Sequence, residues 1–110
     1  MTKTVDEVIM ILAKKFRKRF DDFKGIWLFG IFLDGQPHDN EDIELVALFG
    51  IEDKSRREEI WPIIGKIETD LDVCIDLYPY TEEQFKQDEE IYDNVMKTGI
   101  FYNIAGLKER

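Results

Sequence analysis

The chain has 110 residues, 44% of them apolar, which is enough to bury one core, and residues 1–110 are expected to form a single domain. Acidic residues outnumber basic ones by 24 to 15, a net charge of −9. That balance argues against a stand-alone binder of nucleic acid and leaves room for a metal-neutralised ligand or a basic partner. One cysteine, Cys74, and one histidine, His38, exclude an intrachain disulfide and a multi-cysteine or multi-histidine metal centre. No apolar run approaches the ~20 residues of a membrane span, and the N-terminus lacks a signal peptide's apolar stretch, so a cytoplasmic location is expected.

Thr4 to about Phe20 reads as an amphipathic helix. Val5, Val8, Ile9, Leu12, Phe16 and Phe20 recur at helical spacing, and Thr4 with Glu7 forms a capping-box pattern. Its second half is basic, from Lys14 to Arg19, which suits the negative end of the helix dipole. The same run would also serve as a docking patch for an acidic partner or a phosphate. Asp21–Gly25 reads as a loop and Ile26–Phe29 as a buried strand ended by Gly30. A polar loop follows, with Gly35, Pro37, Asp39 and Asn40 as turn residues and His38 as a solvated one.

The second strand is expected from Asp42 to Phe49. Asp42 and Glu44 are two apart, so they share one face, while Ile43 and Leu45 point the other way. The apolar run Leu45–Phe49 implies burial on both faces of the sheet. Ser55 with Glu58 opens a second helix, which Pro62 should kink or split and Asp70 should end. Asp72–Tyr78 reads as a third strand closed by Pro79, with Asp72, Cys74 and Asp76 on one face. Thr81 with Gln84 starts a third helix running to about Lys97, burying Phe85, Tyr92 and either Val95 or Met96, with Gly99 as its C-cap. Ile100–Tyr102 is a short extended segment, and the tail from Lys108 is expected to be loose. The fold class is therefore α/β (α+β): one layer pair, a small mixed β-sheet with helices packed against it. Trp61, Tyr78 and Tyr80 read first as core residues, with an interface as the alternative.

The order of these features resembles the minimal nucleotidyltransferases of the DNA polymerase β superfamily. The matching pattern is an apolar strand ending in glycine, an eleven-residue loop, carboxylate-x-carboxylate, a helix, and a later strand bearing an acid. By that resemblance the fold is palm-like, and Gly30 and Ile31 occupy the Gly-Ser phosphate-binding motif. Asp42, Glu44 and Asp76 would be the catalytic, metal-binding acids, Asp72 being the weaker candidate for the third. The implied cofactor is Mg2+ and the implied donor a nucleoside triphosphate, its monophosphate passing to a small-molecule or protein hydroxyl. The acidic surface makes a nucleic-acid acceptor unlikely. The family also implies a separate HEPN-type helical partner, and a homodimer is compatible with it.

The departures from the pattern are specific. Ile31 stands where the motif has serine, the loop carries Phe32 and Asp34 where it is usually basic, and Glu41 replaces a small residue. Isoleucine donates no hydroxyl to a phosphate, and Asp34 repels one. Two readings therefore stay open: a metal-dependent nucleotidyltransferase, and an inactive binding or interaction module of the same fold, antitoxin- or regulator-like.

Overall fold

The structure, a computed structural model, describes residues 3–30 and 42–109. Ile31, Phe32, Asp34, Gly35, Pro37, His38, Asp39, Asn40 and Glu41, to which the sequence assigned roles, lie outside the described residues.

Helix α1 spans Val5–Arg19 and begins as expected, with Thr4 and Glu7 closing a capping box. Strand β1, Phe23–Phe29, begins three residues before the expected position. Phe23 packs inward against Phe16 and Phe49, so the segment read as loop is drawn into the sheet by an aromatic contact the local pattern did not show. Strand β2 is Ile43–Phe49, with Asp42 immediately before it.

Helix α2 spans Lys54–Leu71 and differs from expectation in three ways. Its N-cap is Asp53, whose carboxylate accepts the Arg56 N–H at 2.9 Å, so Ser55 lies inside the helix. Pro62 does not split it: the helix continues through this residue, which is exposed and sits where the carbonyl it leaves unpaired can reach water. It ends at Leu71 because Asp72 takes a left-handed conformation, φ 53°, as the C-cap. Asp72 therefore belongs to a helix end and not to a strand.

Strand β3 is Ile75–Tyr80 and includes Pro79. It is an edge strand, where a residue without an N–H is tolerated. Cys74 precedes it and is exposed. The expected third helix is two: α3, Glu82–Gln87, and α4, Glu89–Thr98. Asp88 caps the end of the first and the start of the second, its carboxylate accepting the Ile91 N–H at 3.3 Å. Phe85 and Val95 are buried, Tyr92 is half-buried and Met96 is exposed. Strand β4, Ile100–Tyr102, pairs with β5, Lys108–Glu109, so the tail expected to be loose forms a hairpin.

Among the described residues five strands form one mixed sheet in the order β3-β2-β1-β4-β5. β2 and β3 run parallel, joined by α2, and the other neighbours are antiparallel. Both faces of β2 are covered, as its apolar run implied. Ile43, Leu45, Ala47 and Phe49 pack under α1 and α2, while Val46 and Leu48 pack under α3 and α4. Helices on both sides make three layers, one more than the expected layer pair. Among the described residues no helix is long and apolar enough to cross a membrane.

Candidate nucleotidyl-transfer site

The alternation that buries Val46 and Leu48 places Glu44 on the same face, at the end of the strand where the apolar cover stops. On β3 the same spacing puts Asp76, Tyr78 and Tyr80 on that face. The strand register then sets Glu44 directly beside Asp76 across the parallel pair, and beside Phe29 on β1. The Ile43 N–H donates to the Cys74 carbonyl at 2.8 Å, fixing the start of β2 against the segment leading into β3. Asp42, one residue earlier, is exposed at that same end. Sequence-distant acids are thus brought to one strand end, whereas Asp72 caps α2.

Gly30 closes the site from the β1 side. Its φ of 86° is a backbone conformation that side chains disfavour, and a Cβ there would collide with the Glu44 carboxylate. The backbone conformation is what calls for glycine, since the half-buried Glu44 side chain could turn away from a Cβ.

The electrostatics are those of crowded like charges. Burial first, and then the charges of Asp76 and Asp42, push the Glu44 carboxyl above the usual glutamate range. Tyr78 partly answers this by donating its hydroxyl to Asp76 Oδ2 at 3.2 Å. Burial, followed by the Asp76 charge, raises the Tyr78 hydroxyl and keeps it a donor. Tyr78 stacks on Tyr80, centroids 6.3 Å apart, and the Tyr80 hydroxyl bonds Asp88 between α3 and α4. Both tyrosines pack against the core under α3 and α4, while Trp61 is exposed.

A hard divalent cation fits this donor set in kind, since every candidate ligand is a carboxylate oxygen and the repulsion on Glu44 is what a cation relieves. As the side chains stand, no three acidic, histidine or cysteine groups among the described residues converge closely enough to hold an ion. Glu44 and Asp76 are only half-buried, so rotation about their side-chain bonds is open to them.

The profile of the nucleotidyltransferase domain family matches residues 9–102. The chain belongs to the nucleotidyltransferase family. The matched span contains both carboxylate-bearing strands and the glycine turn, and the family as a whole works with divalent metal ions. No curated protein sequence matches this nucleotidyltransferase domain significantly.

Solved structures share its fold. A variant of the toxin–antitoxin MntA-HpeT superposes with a TM-score of 0.60 at 24% identity, over 87% of this chain and 70% of its own. A toxin–antitoxin structure with AMP-PNP gives 0.60 at 24%, over 86% and 68%. A tri-AMPylated Shewanella oneidensis HEPN toxin in complex with MNT antitoxin gives 0.51 at 20%, over 86% and 68%. At these identities the likeness establishes the fold of the nucleotidyltransferase domain, and its residues have to be argued from their own geometry.

Two side chains at this site escaped the sequence reading. Tyr78 was readable as a neighbour of Asp76, because residues two apart in a strand share a face. Thr98 was not: its hydroxyl accepts the Gly30 N–H at 3.3 Å across 68 residues of sequence, and nothing local signals that.

Proposed function

We propose that residues 1–110 form one catalytic domain that moves a nucleoside monophosphate from a nucleoside triphosphate to a hydroxyl group. The observation that carries the reading is the pairing of Glu44 with Asp76 on parallel strands beside the Gly30 turn. Asp42, Glu44 and Asp76 would hold Mg2+, which supplies neutralisation of phosphate charge and a more acidic acceptor hydroxyl. Asp76 would take the acceptor's proton, with Tyr78 orienting it through one carboxylate oxygen. Gly30 carries no side chain, which would let the triphosphate approach its backbone.

The acceptor we propose is a protein hydroxyl on a HEPN-type helical partner. Support comes from the MNT antitoxin of similar fold, which is found in complex with an AMPylated HEPN toxin, and from the fold neighbour solved with AMP-PNP. The net charge of −9 disfavours a nucleic-acid acceptor.

The test incubates the chain with magnesium, α-labelled nucleoside triphosphates in turn, and a HEPN-type protein. Label on the partner with release of pyrophosphate is expected, lost in Asp42→Asn and Asp76→Asn. A folded chain that transfers no label from any nucleotide would instead support the second reading, an inactive antitoxin-like interaction module. Ile31 in the serine position of the motif and the unconverged carboxylates favour that alternative.

A further inference from the structure

The Gly30 amide is held by a hydroxyl from the far end of the chain. Its N–H donates to Thr98 Oγ1 at 3.3 Å, and the Thr98 hydroxyl in turn donates to the Asn94 carbonyl at 2.9 Å, with Asn94 Oδ1 at 3.2 Å. The bond back to Asn94 is ordinary for a threonine in a last helical turn. The bond from Gly30 is not, because it ties the end of α4 to the glycine turn that faces Glu44. Thr98 is also firmly placed. The next residue, Gly99, donates its N–H to the Val95 carbonyl at 2.6 Å, and a Cβ on it would lie 3.0 Å from the Trp27 ring.

A hydroxyl has two acceptor lone pairs and one proton. At Thr98 one lone pair is taken by the Gly30 N–H, which polarises the O–H and strengthens it as a donor. The proton currently points at an exposed helix carbonyl that water can satisfy. It is therefore free to turn to a better acceptor at little cost, and a phosphate oxygen is such an acceptor.

We propose that Thr98 is a phosphate-binding residue of the nucleotidyl-transfer site, swinging its hydroxyl proton from Asn94 to a triphosphate oxygen while the Gly30 amide holds its oxygen in place. This rests on the functional reading above and names a contact within that site. It also supplies, from another element, the hydroxyl that Ile31 lacks.

The test is calorimetric binding of magnesium ATP, magnesium tripolyphosphate and adenosine to the wild type, Thr98→Val and Thr98→Ser. A lost hydrogen bond to a charged group should weaken ATP and tripolyphosphate roughly tenfold or more in the valine variant. Serine should restore both to within about threefold of wild type, and any adenosine binding should be unchanged in all three. Should valine disturb the helix end, Thr98→Cys, which matches the serine variant in shape but is only a weak donor, must show the same loss. Valine equal to wild type, serine no better than valine, or a loss shared by adenosine overturns the role of Thr98 alone. Failure of the wild type to bind either phosphate ligand overturns this proposal together with the functional reading, so the two failures are distinguishable.

Discussion

One strand, β2, builds two unlike regions. Its odd-numbered residues from Ile43 to Phe49 face α1 and α2, where Phe16, Phe20, Phe23 and Phe49 interlock with ring centroids 5.5 to 5.9 Å apart. The Arg56 guanidinium covers that cluster, 4.5 Å above the Phe20 ring and 5.1 Å above Phe49, and pairs with Asp22 at 2.9 Å. The even-numbered residues begin with Glu44 and only then become apolar, so the second face opens at one end onto acids. The first region gives stability through buried aromatic packing and the Asp22–Arg56 ion pair beside it. The second crowds the Glu44, Asp76 and Asp42 charges at a strand end, a repulsion that a bound cation would relieve.

The sharpest way to break the contrast is to remove an aromatic from the sealed face. Phe49→Ala should cost about 3–5 kcal/mol in urea unfolding, through lost burial and the cavity left behind. Gly30→Ala comes next, at about 1–3 kcal/mol from the left-handed backbone, with further loss as Glu44 is displaced; its unfolding midpoint should fall accordingly. Glu44→Gln should fall within about 1 kcal/mol of wild type and, at neutral pH, on the stabilising side, because it deletes a repelled charge.

The pH dependence of that last pair separates the two regions. Burial and neighbouring charges raise the Glu44 carboxyl, so the folded chain binds a proton there more tightly than the unfolded chain. Its contribution to stability is complete below the ordinary glutamate value and is lost as pH rises through the raised one. Asp22, beside the sealed cluster, runs the other way. Burial opposes it, but Arg56 and the Ile51 N–H prevail and lower its carboxyl, so its contribution is lost as pH falls through that lowered value. Unfolding midpoints measured against pH should show a gap between wild type and Glu44→Gln that widens with rising pH. The smallest effect belongs outside both regions: Lys14→Ala and Lys18→Ala, exposed on α1, should each change stability by less than about 0.5 kcal/mol in the same assay.

The elements that carried strong periodic patterns were legible in the sequence: α1 with its capping box, the burial of β2 on both faces, and the order of strands and helices around them. Boundaries governed by long-range contacts were not. β1 gained Phe23 from an aromatic partner in β2, and β5 formed only because β4 offered an edge. Pro62 and Pro79 read as breaks, yet each sits where a missing N–H is tolerated, on a solvated helix side and an edge strand. In the candidate site, strand alternation grouped Asp42 with Glu44 and, separately, Cys74 with Asp76; that Glu44 and Asp76 share a face and lie side by side needed the parallel register. Thr98 needed the tertiary fold itself.

The central claim is that the acids at the Glu44 end of the sheet form a functional cation and triphosphate site. The most direct measurement is the melting temperature of the chain with and without magnesium plus each nucleoside triphosphate, for wild type and Asp76→Asn. Ligand at about 100 times its dissociation constant should add roughly 2.7 kcal/mol, a rise of several degrees for a domain of this size. That rise is expected for the wild type with magnesium and a triphosphate together, and none for Asp76→Asn. Equal melting temperatures in every condition, or the same rise in both proteins, would contradict the claim.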